Sequence, residues 1–177
     1  MINVDSVDTG SIVVRVPKQH DLRMLIDFQQ PDQKQVMLAG TKVDIYYPKT
    51  QIVQEIDLGK HHRSQVEQFM LLGFGSNSKD LLDKYSVTLG GAETVAGEPT
   101  TRIELIPKSK ELLATFPKFE LWISDQTGIS VQQKMYQPGG DYSLATYSKM
   151  QTNVNIPESA VKLNLPPKGV HWEYPQK

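Results

Sequence analysis

The chain has 177 residues, 38% of them hydrophobic and 22% charged, with a formal net charge of −1. That length suits one domain burying roughly 70% of its unfolded surface, and the balanced charge lacks the basic surface that nucleic-acid recognition leans on. No apolar run approaches the roughly 18 residues of a membrane-spanning helix, and the lack of cysteine excludes disulfides and thiolate chemistry without deciding the compartment.

Ile12, Val14 and Val16 alternate with Val13 and Arg15, and Leu22, Met24, Ile26 and Phe28 repeat the pattern. Side chains i and i+2 of a strand point the same way, so each run presents one apolar and one mixed face. Val43, Ile45 and Tyr47 predict another strand, and residues 51–57 a further one. Short turns between such runs build an antiparallel sheet, because parallel pairing needs a crossover of about a dozen residues.

Residues 65–74 break the alternation. Val66, Phe69, Met70 and Leu72 predict a helix with one apolar side, with Ser64 as cap and Gly73 and Gly75 ending it. A second short helix over 78–85 turns Leu81 and Leu82 inward. Tyr85, Val87 and Leu89 resume strand, a turn at Gly90-Gly91 follows, and strands return over 93–96 and 100–106 until Pro107, which lacks the amide donor. Residues 109–116 predict one or two helical turns. Residues 119–123, 129–136 and 142–150 predict hairpin strands separated by the turns at 125–128 and 138–141, and 161–165 a last short strand. The expected fold is a single domain over 1–177, mainly β with small α, with no internal repeat and no linker.

The polar residues offer little chemistry. Asp8-Thr9-Gly10-Ser11 matches the short signature of aspartic proteases, which need a second such loop to pair two carboxylates. A homodimer would have to supply it, and the stretch reads as a polar turn before a strand. His61-His62 are adjacent and point in different directions, while His20 and His171 lie far off in the chain, so no pair has helical metal spacing. Gly73-Phe74-Gly75 follows a helix instead of opening one, which is the wrong order for a phosphate loop. No serine sits in Gly-x-Ser-x-Gly. The expectation is a protein with no catalytic residues, no metal and no cofactor.

Apolar residues are the positive signal. Phe69-Met70-Leu71-Leu72 is bulkier than one helical stripe needs, and methionines at 24, 37, 70, 135 and 150 add side chains that adapt to irregular partners. Two readings follow: ordinary core between helix and sheet, or an apolar cavity accepting an acyl chain at about 0.8 kcal/mol per buried methylene. Periodicity does not separate them.

Gly10-Ser11-Ile12-Val13-Val14-Arg15-Val16-Pro17, then Ala39-Gly40-Thr41-Lys42-Val43-Asp44-Ile45-Tyr46-Tyr47-Pro48, resemble two segments of the bacterial periplasmic lipoprotein carriers of the LolA type. Gln68-Phe69-Met70-Leu71-Leu72 is similar to that family's apolar helix. Val95-Ala96-Gly97 with 102–107, then 119–123 with 125–128, resemble its hairpins, and Pro167-Lys168-Gly169-Val170 its closing motif. The pieces occur in order across nearly the whole chain, and related lipoprotein-binding envelope proteins share the pattern.

The resemblance implies a curved antiparallel sheet forming an unclosed half-barrel covered by short helices. It also implies a periplasmic location and an apolar cavity that holds acyl chains of lipids or lipoproteins on their way to the outer membrane. By position, Val14, Val16, Leu22, Met24, Ile26, Phe28, Phe69, Met70 and Leu72 line that cavity. Related envelope-stress regulators imply an alternative, a lipid- or lipoprotein-sensing module that contacts transient protein partners. The family keeps an arginine before the proline of its early strand; here Val16 holds that place, with Arg15 on the opposite face. The family's N-terminal helix and first strand have no counterpart before Met1, which leaves an edge open to edge-to-edge pairing with a second copy.

Overall fold

A computed structural model describes residues 6–16, 21–59, 72–74 and 78–175, and divides into two compact units, 1–67 with 153–177 and 68–152. Each unit is built on its own sheet. Among the described residues neither sheet closes into a barrel, and the fold is mainly β with two short α-helices.

The first unit carries six strands in the order β1 (Thr9–Arg15), β2 (Arg23–Gln30), β3 (Lys34–Ala39), β4 (Lys42–Tyr47), β5 (Ile52–Asp57) and β11 (His171–Glu173). β1 to β5 form an antiparallel meander, and Gly40 adopts φ 62° in the tight turn between β3 and β4. Alternation alone misses β3, because Val36 and Leu38 face one way and Met37 the other, so the strand is apolar on both sides. β11 pairs with β5 in parallel, His171 opposite Ile52. The strands joined by short turns are antiparallel as expected; the return to β11 runs through more than a hundred residues, ample for a parallel crossover. The expected strand at 161–165 is absent. Its place is taken by a 3-10 turn at Glu158–Val161 and then irregular chain.

The second unit carries β6 (Tyr85–Val95), β7 (Glu98–Pro107), β8 (Phe119–Ser124), β9 (Ser130–Tyr136) and β10 (Tyr142–Thr146), antiparallel throughout in the order β10-β9-β8-β7-β6. Gly90-Gly91, expected as a turn, instead marks a bulge inside one long strand, where the register shifts between Leu89 and Gly91. Glycine tolerates the φ of 101° at Gly91 that such a bulge demands. α1 (Ser78–Lys84) precedes β6, and α2 (Lys110–Thr115) follows β7, with the Ser109 hydroxyl accepting from the Leu112 amide as a cap. Leu81 packs on the core but Leu82 is exposed. Successive helical residues diverge by about 100°, so a two-turn helix on a flat sheet buries only one of them. Tyr85, Leu105, Leu112, Phe119 and Leu121 make this unit's core with Leu72, and the Tyr85 and Phe119 rings meet edge to face. Leu72 to Phe74 form a turn, with Gly73 at φ 81°; the helix that Gly73 was expected to end lies outside the described residues.

Candidate functional site

Cross-strand partners project to the same side of a sheet, so the register defines the faces directly. Val14, Met24, Leu38, Val43 and Ile56 stand in one row across β1 to β5, and Ile12, Ile26, Val36 and Ile45 in the next, which Gln54 closes on β5. One face of the six-stranded sheet is therefore apolar across five strands. At its centre Met24 and Leu38 are sealed, at 2% and 1% exposure. Toward the β1 edge Val14 and Ile26 are half-buried and Ile12 is 38% exposed.

The expected lining residues divide accordingly. Val14, Met24, Ile26 and Phe28 share this face, with Lys34 Nζ 4.7 Å from the centre of the Phe28 ring. Leu22 is buried just ahead of β2, whereas Val16 lies past the end of β1 and is 48% exposed. Leu72 belongs to the second unit, and Phe69 and Met70 lie outside the described residues.

The opposite face of this sheet is mixed, and the C-terminal segment straps it. Arg15 Nε donates to the Ile156 carbonyl at 2.9 Å, Arg23 Nη1 pairs with Glu158 at 2.9 Å, and the Asn164 amide donates to Gln35 Oε1 at 2.8 Å. Arg15 is thus committed to this strap. Asp44 sits on the same side, opposite Glu55, only 6% exposed and with Oδ1 unpartnered. Burial, then the Glu55 charge, push its carboxyl above the ordinary aspartate range, against a smaller pull from Lys42.

In the second unit an apolar cavity of about 110 Å³ opens between Leu72, Phe119, Leu121, Met135, Ala145 and Tyr147. β8 and β9 place Phe119 opposite Met135 and Leu121 opposite Gln133, which brings all four to one face. The polar groups in its wall satisfy one another: Tyr147 donates to Gln133 Oε1 at 3.3 Å, and Gln133 Nε2 to the Leu72 carbonyl at 2.5 Å. Burial pushes the Tyr147 phenol up to about 12, and the Phe74 ring stands edge-on to it at 5.0 Å. Sequence reasoning singled out only Leu72 here. The alternation of Phe119 and Leu121 and the methionine at 135 were signals of a buried face, but nothing in them marked a void.

The other face of that sheet holds a charge network. Arg102 pairs with Glu93 at 2.7 Å and Glu120 at 2.8 Å, Lys118 reaches Glu120 at 3.2 Å, and the Tyr136 hydroxyl donates to Glu120 at 2.8 Å. The Glu120 side chain is only 7% exposed. Burial works to push its pKa up, but the Tyr136 and Lys118 hydrogen bonds and the Lys118 and Arg102 charges outweigh it and hold the carboxyl below the ordinary glutamate range. Every member is paired, so the cluster reads as a support for the sheet.

Catalytic and metal chemistry find little here. Asp8 is exposed at the head of β1, His61 and His62 lie outside the described residues, and His171 is exposed on β11. Among the described residues no group of three or more His, Cys, Asp or Glu is placed to hold a metal ion, and no helix is long and apolar enough to cross a membrane.

Comparison with known proteins adds a family and a set of distant likenesses. No curated protein matches the chain. Among solved structures, the chain is similar to MucB at 16% identity and a TM-score of 0.49, over 89% of this chain and 52% of that one. It is similar to a putative outer membrane lipoprotein-sorting protein domain from Vibrio parahaemolyticus at 16% identity and a TM-score of 0.42, over 81% and 63%. A LolA superfamily protein from Nitrosomonas europaea matches at 14% identity and a TM-score of 0.32, over 76% and 65%. The chain spans about half the length of the MucB chain it matches. A family model described as "-like: Uncharacterized protein" covers residues 20–162, and by that match over most of its length the chain belongs to this family.

Proposed function

We propose that the chain binds the acyl chains of lipids or lipoproteins and carries them across the bacterial periplasm toward the outer membrane. The observation that carries this reading is the apolar face of the six-stranded sheet, in register across five strands and left partly open at Ile12. Hydrocarbon laid on such a face gains about 0.8 kcal/mol per methylene withdrawn from water and needs no polar anchor. The cavity of the second unit supports the reading on a smaller scale. Its 110 Å³ is of the order of the ~150 Å³ apolar cavities that stay dry and take up benzene, enough for the end of a chain. Val14, Val16, Leu22, Met24, Ile26, Phe28, Phe69, Met70 and Leu72 remain the proposed lipid contacts.

Mass spectrometry of an organic extract of the purified protein tests this, followed by titration with a labelled fatty acid. Fatty-acyl species in the extract and saturable uptake are expected, with Ile12→Glu lowering uptake about fivefold or more at an unchanged melting temperature. An extract free of acyl species together with no uptake removes the proposal.

A second reading is a lipid- or lipoprotein-sensing module of the envelope. It is favoured by β6, which runs along the edge of its sheet for 11 residues with most side chains exposed, and strand edges recruit incoming strands. Partner capture that depends on bound acyl ligand separates a sensor from a carrier. Edge-to-edge pairing of two copies through β1, the other long edge, belongs to the same proposal; light scattering that returns the monomer mass at every concentration eliminates it.

A further inference from the structure

We propose that a groove on the six-stranded unit binds an extended polypeptide bearing a basic side chain, at a site that shares only Phe28 with the proposed acyl contacts. The groove holds about 880 Å³, within the roughly 300–1,000 Å³ typical of ligand sites. The β2–β3 loop, the β4–β5 turn and residues 164–167 form its walls.

Amides dominate it: Gln29, Gln30, Gln33, Gln35 and Gln51 all line the groove. A glutamine amide carries both donors and an acceptor, so it matches a peptide group in either direction. One such match is already made inside the molecule, where Gln35 Oε1 accepts the Asn164 main-chain N–H at 2.8 Å. Pro166 and Pro167 continue that wall. They have no N–H to compete for the incoming acceptors and offer ring faces instead.

Charge selects the class of ligand. Asp27, on the same sheet face as Gln35 and Tyr46, is the one charged group among the described lining residues. Among the described residues no cation pairs with Asp27: Lys49 is held by Asp32 at 2.9 Å, and Lys34 stands over the ring of Phe28, itself part of the lining. A carboxylate without a counter-ion among neutral amides attracts a guanidinium or ammonium group and repels anions. A carbohydrate would need an open aromatic face. Tyr46 is buried and one side of Phe28 is covered, so the peptide is favoured.

The test uses the full chain and three probes: a labelled threonine- and glutamine-rich peptide with one central arginine, its glutamate counterpart, and a neutral chito-oligosaccharide. The arginine peptide is expected to bind, about fivefold tighter than the glutamate one. Asp27→Asn is expected to abolish that preference. The double variant Gln29→Ala, Gln33→Ala, which changes exposed side chains, is expected to weaken both peptides at an unchanged melting temperature. Equal affinity of the unaltered protein for the two peptides, peptide binding that survives every variant, or saturable binding of the oligosaccharide in place of peptide each overturns the proposal. Loss of acyl uptake leaves these readouts unmoved, so the two proposals fail separately.

Discussion

Gly10 of β1 lies against the main-chain carbonyl of Asp27 in β2, too close for any side chain to stand between them. The register shifts between Thr9 and Gly10 at the same point. The glycine of Asp8-Thr9-Gly10-Ser11 therefore serves a close strand approach beside a bulge. Gly10→Ala is expected to push β1 away from β2 and lower stability by about 1–3 kcal/mol. Chemical denaturation measures it, and an unshifted midpoint would mean the strand edge yields freely.

Met24 and Leu38 are cross-strand partners sealed at the centre of the apolar face. Met24→Glu is expected to lower stability by about 3 kcal/mol or more, because it places a carboxylate where no partner exists. It is consequently a folding variant, and the half-open Ile12 is the cleaner position for probing a ligand. Thermal melts of the two glutamate variants side by side check the contrast.

Leu121 lines the cavity of the second unit and is fully buried. Leu121→Ala enlarges an existing void and is expected to cost about 3 kcal/mol. A loss below about 1 kcal/mol would show that the walls collapse inward, leaving no room for a hydrocarbon end.

The Glu120 carboxyl has its pKa lowered in the folded state, so its contribution is fully present above the ordinary glutamate range and is lost as pH falls through the lowered value. Glu120→Gln is expected to cost about 1–3 kcal/mol at neutral pH and to flatten the acid limb of a stability-against-pH curve. Arg102 keeps its 2.7 Å contact with Glu93 in that variant, which holds the loss at the lower end. An acid limb identical to that of the parent protein would contradict the assignment.

Asp44 acts with the opposite sign. Its carboxyl is raised in the folded state, so the penalty of burying its charge is full above the raised value and vanishes below the ordinary aspartate range. Stability from this group rises as pH falls through that window. Asp44→Asn is expected to stabilise the protein at neutral pH by about 1 kcal/mol and to remove that rise. Destabilisation at neutral pH would mean that the unpartnered oxygen has a partner in solution.

The faces of β1, β2, β4 and β8 were legible because each alternates strictly, and a period of two leaves no freedom once the register is set. The helical turns expected over 109–116 were legible in outline, and the structure places a helix at Lys110–Thr115. β3 was not legible, because residues apolar on both sides have no period. Gly90-Gly91 was misread for a related reason, since two glycines permit a bulge and a turn equally.

Local order, alternation and the balance of charge were therefore set within short windows of the chain: a mainly β protein with an apolar stripe on strands such as β1, β2, β4 and β8. Only the tertiary structure decided the parallel return of β11 onto β5, the strap that engages Arg15 and Gln35, the burial of Asp44 and the void beside Leu121. Each depends on residues distant in sequence meeting at a defined distance, and no periodicity of two or three residues encodes a distance of that kind.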